Sequence, residues 1–263
     1  MVFNPHPRPV REVIGVNVTT AQTDRVWSLQ AIDTDGAPLA VQELARDEKS
    51  YPVHDTGARP WPYFTDRHLL LVDSGAIPAL GYKIIRFSST QSFNRNHFYW
   101  LPPRTSAGDE ICRSDGMLEN DWLRAEVQAN GTIRLTDKER GQVHEGLHYF
   151  EDSGDVGNYW AYYPPYQDRV YTTQTVRVTS WCEANGPLSA TIAVQYDWEL
   201  PEGASEPMYG VRGESRRSER TTNVRIISRF TLTKFGRRLD VRTSLTNNVR
   251  NHRLRVAFPT GIA

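Results

Sequence analysis

Long apolar runs are missing from this sequence, and so is net charge. None of its 263 residues falls in a stretch approaching the roughly 18 consecutive apolar residues that a membrane-spanning helix needs, so no membrane partner is expected. The opening Met1 to Pro7 lacks the charged-then-apolar layout of a signal peptide, and a cytoplasmic location is expected from that. Cysteine is scarce. Cys112 and Cys182 are the two present, too few for a disulfide framework and without the CxxC spacing of a metal pair, which predicts two free, buried thiols. Serine-nucleophile elbows, P-loops and dinucleotide fingerprints are absent. No segment sustains the i, i+3, i+4, i+7 apolar stripe of an amphipathic helix. With 31 basic against 31 acidic residues and an apolar fraction of 38%, the chain is neither a uniformly basic nucleic-acid binder nor a disordered polymer.

The zero charge hides a split. From Ser205 onward there are 13 basic residues, 12 Arg and Lys234, against four acidic ones, so that part carries +9 and the remainder −9. Arg225, Arg229, Arg253 and Arg255 fall on the polar faces of alternating segments, where arginines are ordinarily solvated, and no nucleic-acid partner is expected.

Period-two alternation is what the sequence has in abundance, and it predicts half-buried strands. Leu188, Ala190, Ile192, Val194, Tyr196, Trp198 and Leu200 share one face. Val224, Ile226, Ser228, Phe230 and Leu232 repeat the pattern, turn at Lys234-Phe235-Gly236, and return through Leu239, Val241, Thr243 and Leu245, which reads as a hairpin. Leu254, Val256 and Phe258 form another strand. Residues 201–221 read as a mobile connection. Trp122 to Val127 and Ile133 to Leu135 flank Asn130-Gly131, a strong hairpin signal. Shorter strand candidates, Val10–Val18, Val26–Ile32, Leu39–Leu44, His68–Val72 and Gly81–Phe87, are separated by turn residues and suggest a small β-sandwich. The expected class is all-β: a small β-sandwich over 1–101, a linker over 102–114 marked by Pro102-Pro103 and Gly108, and 115–263 as the N-terminal part of a larger antiparallel sandwich.

Two patterns bear on chemistry. His144-Glu145-Gly146-Leu147-His148 has the letters of the zinc-protease H-E-x-x-H, which works on a helix because both histidines then share a face one turn apart. Here a central glycine and the following Tyr149-Phe150 suit a strand, which would hold the two histidines about 13 Å apart, so no metal site is expected. Carboxylate pairs such as Glu151 with Asp152 read as surface, and no catalytic residue is assigned. The second pattern, Tyr149 to Arg169, is dense in aromatics and carboxylates. Gly154 and Gly157 permit tight turning, and Pro164-Pro165 stiffens the exit. Such a loop suits a sugar, with rings stacking on a pyranose face and Asp or Asn reaching its hydroxyls; equally, it suits a plug of buried aromatics closing a sandwich end.

The segments Leu118-Glu119-Asn120-Asp121-Trp122, Asn130-Gly131-Thr132-Ile133 and Leu147 to Asp152 with Gly154-Asp155 resemble the large C-terminal β-sandwich of glycoside hydrolase family 38 α-mannosidases. Phe3-Asn4-Pro5 with Arg8 to Val13 is similar to the opening of that family's small β-domain, and Pro259-Thr260-Gly261 to a strand inside its sandwich; the resemblance implies that the larger sandwich is galactose mutarotase-like. The resemblance implies a region that supports a zinc-dependent, retaining catalytic barrel and lines part of a mannose-type carbohydrate site. It also implies that the barrel and its zinc lie outside this chain, which then reads as an internal segment that is inactive alone and carries no cofactor of its own. The family's loop after the Gly-Asp pair carries an aromatic that reaches the sugar. Matched without a gap, it makes Asp155, Asn158, Tyr159, Trp160 and Tyr162 the candidate substrate-binding residues, with Trp160 where a tyrosine usually stands and Asn158 where an aspartate does. The alternative is a non-catalytic carbohydrate-binding module.

Overall fold

Alternating apolar and polar side chains become strand after strand, and the only helical pieces among the described residues are two 3-10 turns, Gln22–Asp24 and Thr173–Thr175. The computed structural model describes residues 1–53, 61–91, 110–205 and 215–261. The strand pairs whose register is defined are all antiparallel, and the all-β class expected from the sequence is what is found. The chain forms two compact units. One comprises Met1–Ile111 with Asn185–Ala190 and Thr233–Gly236; the other comprises Cys112–Ala184, Thr191–Leu232 and Arg237–Ala263. Most of the stretch expected as a linker, 102–109, lies outside the described residues, and its end, Cys112–Ser114, is a strand.

The first unit contains β1 (Val2–Phe3), β2 (Val13–Ala21), β3 (Val26–Ile32), β4 (Pro38–Leu39), β5 (Val41–Val53), β6 (Trp61–Asp73), β7 (Tyr82–Lys83) and β8 (Arg86–Gln91). They pair as β2-β6-β5, β4-β3-β8 and β1-β7. Val26, Leu29 and Ala31 of β3 pack with Leu70 and Val72 of β6 in one core, against Ile14, Val16, Leu39, Val41, Ile85 and Phe87. Alternation places these side chains on the facing sides of the two three-stranded sheets. β5 and β6 run well past the predicted Leu39–Leu44 and His68–Val72, because Gln42–Asp47 and Asp66–His68 remain paired although their polar side chains hide the alternation. The Phe3-Asn4-Pro5 motif has a structural cause: buried Asn4 donates through Nδ2 to the carbonyls of Arg8 (2.8 Å) and Pro78 (3.0 Å), and its Oδ1 accepts from the His6 N–H at 3.0 Å.

The second unit contains β9 (Cys112–Ser114), β10 (Met117–Glu119), β11 (Leu123–Val127), β12 (Ile133–Asp137), β13 (Gln142–Leu147), β14 (Tyr149–Gly154), β15 (Tyr171–Thr172), β16 (Arg177–Ala184), β17 (Ser189–Pro201) except its first two residues, β18 (Thr221–Thr233) except its last, β19 (Asp240–Leu245) and β20 (His252–Ala257). They form the sheets β13-β12-β11-β10-β9, β15-β14-β20 and β16-β17-β18-β19. The alternating faces predicted for β17 and β18 are buried from Ile192 to Leu200 and from Val224 to Leu232. Phe150 meets Tyr196 edge-on at 5.6 Å, and the Tyr196 hydroxyl donates to the Gly131 carbonyl at 2.7 Å in the predicted Asn130-Gly131 turn. In the Glu119-Asn120-Asp121-Trp122 motif, Asn120 Oδ1 accepts from the N–H groups of Trp122 (2.9 Å) and Leu123 (2.8 Å), fixing the turn from β10 to β11.

Three sequence expectations change. β19 alternates in sequence, yet all six of its residues are exposed; among the described residues it stands at the edge of its sheet. Residues 201–221 are not a free connection at their ends: Ala204 bridges Arg217, Gln167 bridges Arg216, and Ser215 and Arg217 are buried. The middle of that stretch, 206–214, lies outside the described residues. Neither thiol is in a disulfide, but only Cys112 is buried; Cys182 is half-buried.

Candidate functional site

The aromatic loop leaves β14 at Gly154 and is tied down at both ends. The Gly154 N–H donates to Asp168 Oδ1 at 3.0 Å, and the Asp155 N–H donates to the Asn251 carbonyl at 3.0 Å. At the far end, the N–H of Tyr166 donates to Ser215 Oγ (2.9 Å) and that of Gln167 to the Ser215 carbonyl (3.1 Å). Pro165 is buried against Gly154, where an added Cβ would stand 2.5 Å from the proline Cγ. That contact explains the glycine at the loop's root without any appeal to backbone strain.

Under this root lies a buried charge cluster that sequence reasoning missed. Asp152, taken as surface from its place beside Glu151, has no exposed area. Its Oδ1 accepts from Arg217 Nη2 at 2.5 Å, and its Oδ2 accepts from His252 Nδ1. His252 Nε2 lies 3.1 Å from Asn247 Oδ1, an oxygen that also accepts from the Val249 N–H. Arg217 Nη1 lies 3.9 Å from Asp168 Oδ1, and its guanidinium lies over the Tyr171 ring at 5.5 Å. The three residues come from separate strands and a loop far apart in sequence. Only the inward phase of Asp152 within β14, shared with Phe150, could have signalled its burial.

Above the root the loop turns on two side-chain oxygens. Asp155 Oδ1 accepts from the N–H groups of Gly157 (3.0 Å) and Tyr163 (3.3 Å), and Asn158 Oδ1 accepts from those of Trp160 (2.9 Å) and Ala161 (3.1 Å). These turns thrust the aromatics outward. Tyr159 and Trp160 are 104% and 92% exposed, Tyr163 and Tyr166 are mostly exposed, and Tyr162 is 41% exposed. The plug of buried aromatics is thereby excluded. Tyr162 lies back toward the sheet, its hydroxyl 3.5 Å from Ser153 Oγ and its ring under the Arg253 guanidinium at 4.6 Å. All five sequence candidates thus sit on one loop: Tyr159 and Trp160 present open ring faces, while Asp155 and Asn158 each have one oxygen committed to the backbone.

The H-E-x-x-H segment does not form a metal centre. β13 ends at Leu147, and Gly146 (φ +69°) and His148 (φ +64°) both take left-handed backbone, so no helix brings the histidines together. His148 is buried between the rings of Phe150 (5.0 Å), Phe230 (4.9 Å) and Phe258 (5.5 Å), and burial pushes its pKa down to about 4. Among the described residues no three His, Cys, Asp or Glu side chains gather as metal ligands, and these residues do not fit a zinc ion.

In the first unit, Thr20 Oγ1, His68 and Glu43 are spaced like a nucleophile, base and orienting acid: 3.2 Å to His68 Nε2 and 3.0 Å from Nδ1 to Glu43 Oε1. His68 is fully buried. Burial pushes the Glu43 pKa up, but hydrogen bonds from His68 and Arg46 outweigh it and hold the carboxyl below its usual range. An imidazole sealed from water and flanked by Arg46 serves core cohesion; a substrate could not reach it.

Antiparallel sheets, with no helix beyond two 3-10 turns among the described residues, define an all-β protein of the β-sandwich class. Residues 118–263 match the family model for the glycosyl hydrolases family 38 C-terminal domain, and the chain belongs to that family. It is similar to a crystal structure of an alpha-mannosidase from Enterococcus faecalis V583 (TM-score 0.78, 23% identity, 99% of this chain and 31% of that one). A second structure, of a protein in glycosyl hydrolase family 38 from Enterococcus faecalis, gives a TM-score of 0.77 at 22% identity, over 99% of this chain and 32% of that one. At these identities the likeness speaks for the fold alone. A protein of Halalkalibacterium halodurans named "Putative mannosylglycerate hydrolase" is 25% identical over 166 residues, 59% of this chain and 18% of its own length. The chain spans less than a third of each of these relatives.

Proposed function

We propose that this chain is the β-rich part of a mannosidase-like family 38 glycosidase, and that the loop from Asp155 to Asp168 forms one wall of its sugar site. The observation that carries the reading is the exposure of Tyr159 and Trp160 on a loop anchored at both ends. Fully solvated rings contribute little to a fold, whereas a rigidly presented ring face suits the apolar face of a pyranose. Tyr162 closes the inner edge, and the free Nδ2 of Asn158 and Oδ2 of Asp155 remain for hydroxyl groups. A mannose-type ligand is supported by the names of the relatives. The acid, the nucleophile and the zinc belong in this reading to a catalytic barrel in the longer parent chain, with this region as its support; its own residues supply binding and orientation, and no proton transfer.

Two measurements test this. Zinc and an aryl α-mannoside added to the isolated chain should give no turnover above buffer; zinc-dependent hydrolysis would overturn the division of labour. In the parent enzyme, Trp160→Ala should raise KM for a mannoside, and an unchanged KM would remove the loop from the site. The loop's exposure also favours a second reading, a carbohydrate-binding module, which differs in requiring measurable affinity of the isolated chain for mannose-type sugars.

A further inference from the structure

The chain has two cysteines, far apart in sequence, and the fold brings them together. Cys112 opens β9 and Cys182 lies on β16; among the described residues each of these strands is a free edge, of two different sheets. Each cysteine also adjoins a break in its ladder. The β9–β10 register shifts between Met117 and Leu118, the partner of Cys112, and the β16–β17 register shifts between Cys182 and Ala184. Such an irregularity bends an edge strand and re-aims its side chains, and the two thiols end as hydrogen-bonding neighbours. Each S–H also has a backbone acceptor two residues on, the Ser114 carbonyl at 3.0 Å and the Ala184 carbonyl at 3.5 Å. Cys112 is buried, whereas Cys182 is half-buried. Burial and the neighbouring thiol push the Cys112 pKa up to about 12. Cys112 therefore stays a protonated thiol near neutrality, and solvent meets the pair from the Cys182 side.

We propose that Cys112 and Cys182 form a reversible oxidation site, closing under peroxide to a disulfide that joins the free edges of the two sheets. Hydrogen peroxide first oxidises the Cys182 thiol to a sulfenic acid and is itself reduced to water. The Cys112 sulfur then attacks the sulfenic sulfur: the S–S bond forms, the S–O bond breaks, and the hydroxyl leaves with the Cys112 proton as a second water. A dithiol reductant reverses the change, returning a hydrogen to each sulfur and leaving as its own disulfide. A thiol of high pKa attacks slowly because little of it is thiolate, and a partner already in contact offsets this by proximity. The cross-link closes a long loop of chain between β9 and β16, which braces the second unit against unfolding.

The test is mass spectrometry of the folded chain after hydrogen peroxide, with iodoacetamide added on denaturation. The oxidised chain should be lighter by two hydrogens, take up no alkyl group and yield a peptide pair linked through Cys112 and Cys182; dithiothreitol should restore alkylation of both. In Cys112→Ala the sulfenic acid on Cys182 should persist and be trapped by dimedone. Cys182→Ala, which alters only the half-buried member, should leave the Cys112 thiol unoxidised. Scanning calorimetry should place the melting midpoint of the cross-linked chain on the order of 10 °C above that of the reduced one. Absence of the linked peptide, whether the thiols stay reduced, pass to sulfinic acid or bridge separate chains, would overturn the site and leave the cysteines as packing groups. A linked chain with an unchanged midpoint would overturn the brace.

Discussion

Asp152 and Arg217, 65 residues apart, meet as an ion pair sealed from water, with Nη2 2.5 Å from Oδ1. Desolvating two charges costs several kcal/mol; His252 adds a second partner to the carboxylate, whereas Arg217 Nε and Nη1 are buried without a hydrogen bond, with Asp168 3.9 Å and the Tyr171 ring 5.5 Å away. Removing one partner strands the other. Asp152→Ala should therefore cost about 3–5 kcal/mol, read as a lowered urea midpoint. Asp152→Leu combined with Arg217→Met, which leaves neither charge buried, should recover much of that loss. A double variant no more stable than the single one would show that the pair is worth more than its isosteres.

Gly154 tests how the loop is seated. An added Cβ would stand 2.5 Å and 2.6 Å from Pro165 Cγ and Cδ and 2.9 Å from Arg217 Cδ. The proline ring cannot bend aside, so the loop's exit must shift. Gly154→Ala is expected to cost about 1–3 kcal/mol, the usual penalty for overpacking, and to broaden the Trp160 indole NMR signal. Unchanged stability and an unchanged Trp160 signal would mean that Pro165 does not seat the loop.

His148 gives the fold a pH dependence with a definite sign. Buried among three phenylalanine rings, it stays neutral in the folded chain down to about pH 4, whereas in the unfolded chain it takes up a proton near pH 6.5. Between those values the unfolded state binds more protons, so stability rises with pH; it is complete above about 6.5 and falls as the pH drops toward 4. The loss attributable to this one ring is on the order of 3 kcal/mol. Urea titrations across that range should show it in the native chain, and His148→Phe should flatten the slope. An unaltered slope in the variant would assign the dependence to the carboxylates.

The core strands were legible in sequence because alternation reports burial directly wherever one face is uniformly apolar, as along Ile192–Leu200. β5 and β6 were legible only in part, since Glu43, Asp66 and His68 are polar residues on inward positions, and contacts such as Glu43 with His68 and Asp66 with Gln22 cannot be read from period alone. β19 misled for the opposite reason: Val241 and Leu245 keep the period but stand on a sheet edge. At the site, composition singled out the loop and could not decide between buried and open aromatics. That choice depends on the short-range turns made by Asp155 and Asn158, which composition does not report, and on the clamp of Tyr166 by Ser215, 49 residues away in the chain.

Asp155 separates holding the loop from touching the sugar. Its Oδ1 accepts two backbone N–H groups, from Gly157 and Tyr163, and an asparagine would present the same oxygen. Asp155→Asn should keep loop and stability within about 0.5 kcal/mol of the native chain, the ordinary range for a surface exchange. Asp155→Ala leaves both amides without that acceptor and should cost about 0.5–2 kcal/mol, like the loss of a capping side chain. The second oxygen is where the two roles part. If Oδ2 accepts from a sugar hydroxyl, Asp155→Asn turns that acceptor into a donor and weakens mannoside affinity at unchanged stability; equal affinity in the native chain and Asp155→Asn would confine Asp155 to shaping the loop. Calorimetric melting and a sugar titration on the same sample distinguish the outcomes.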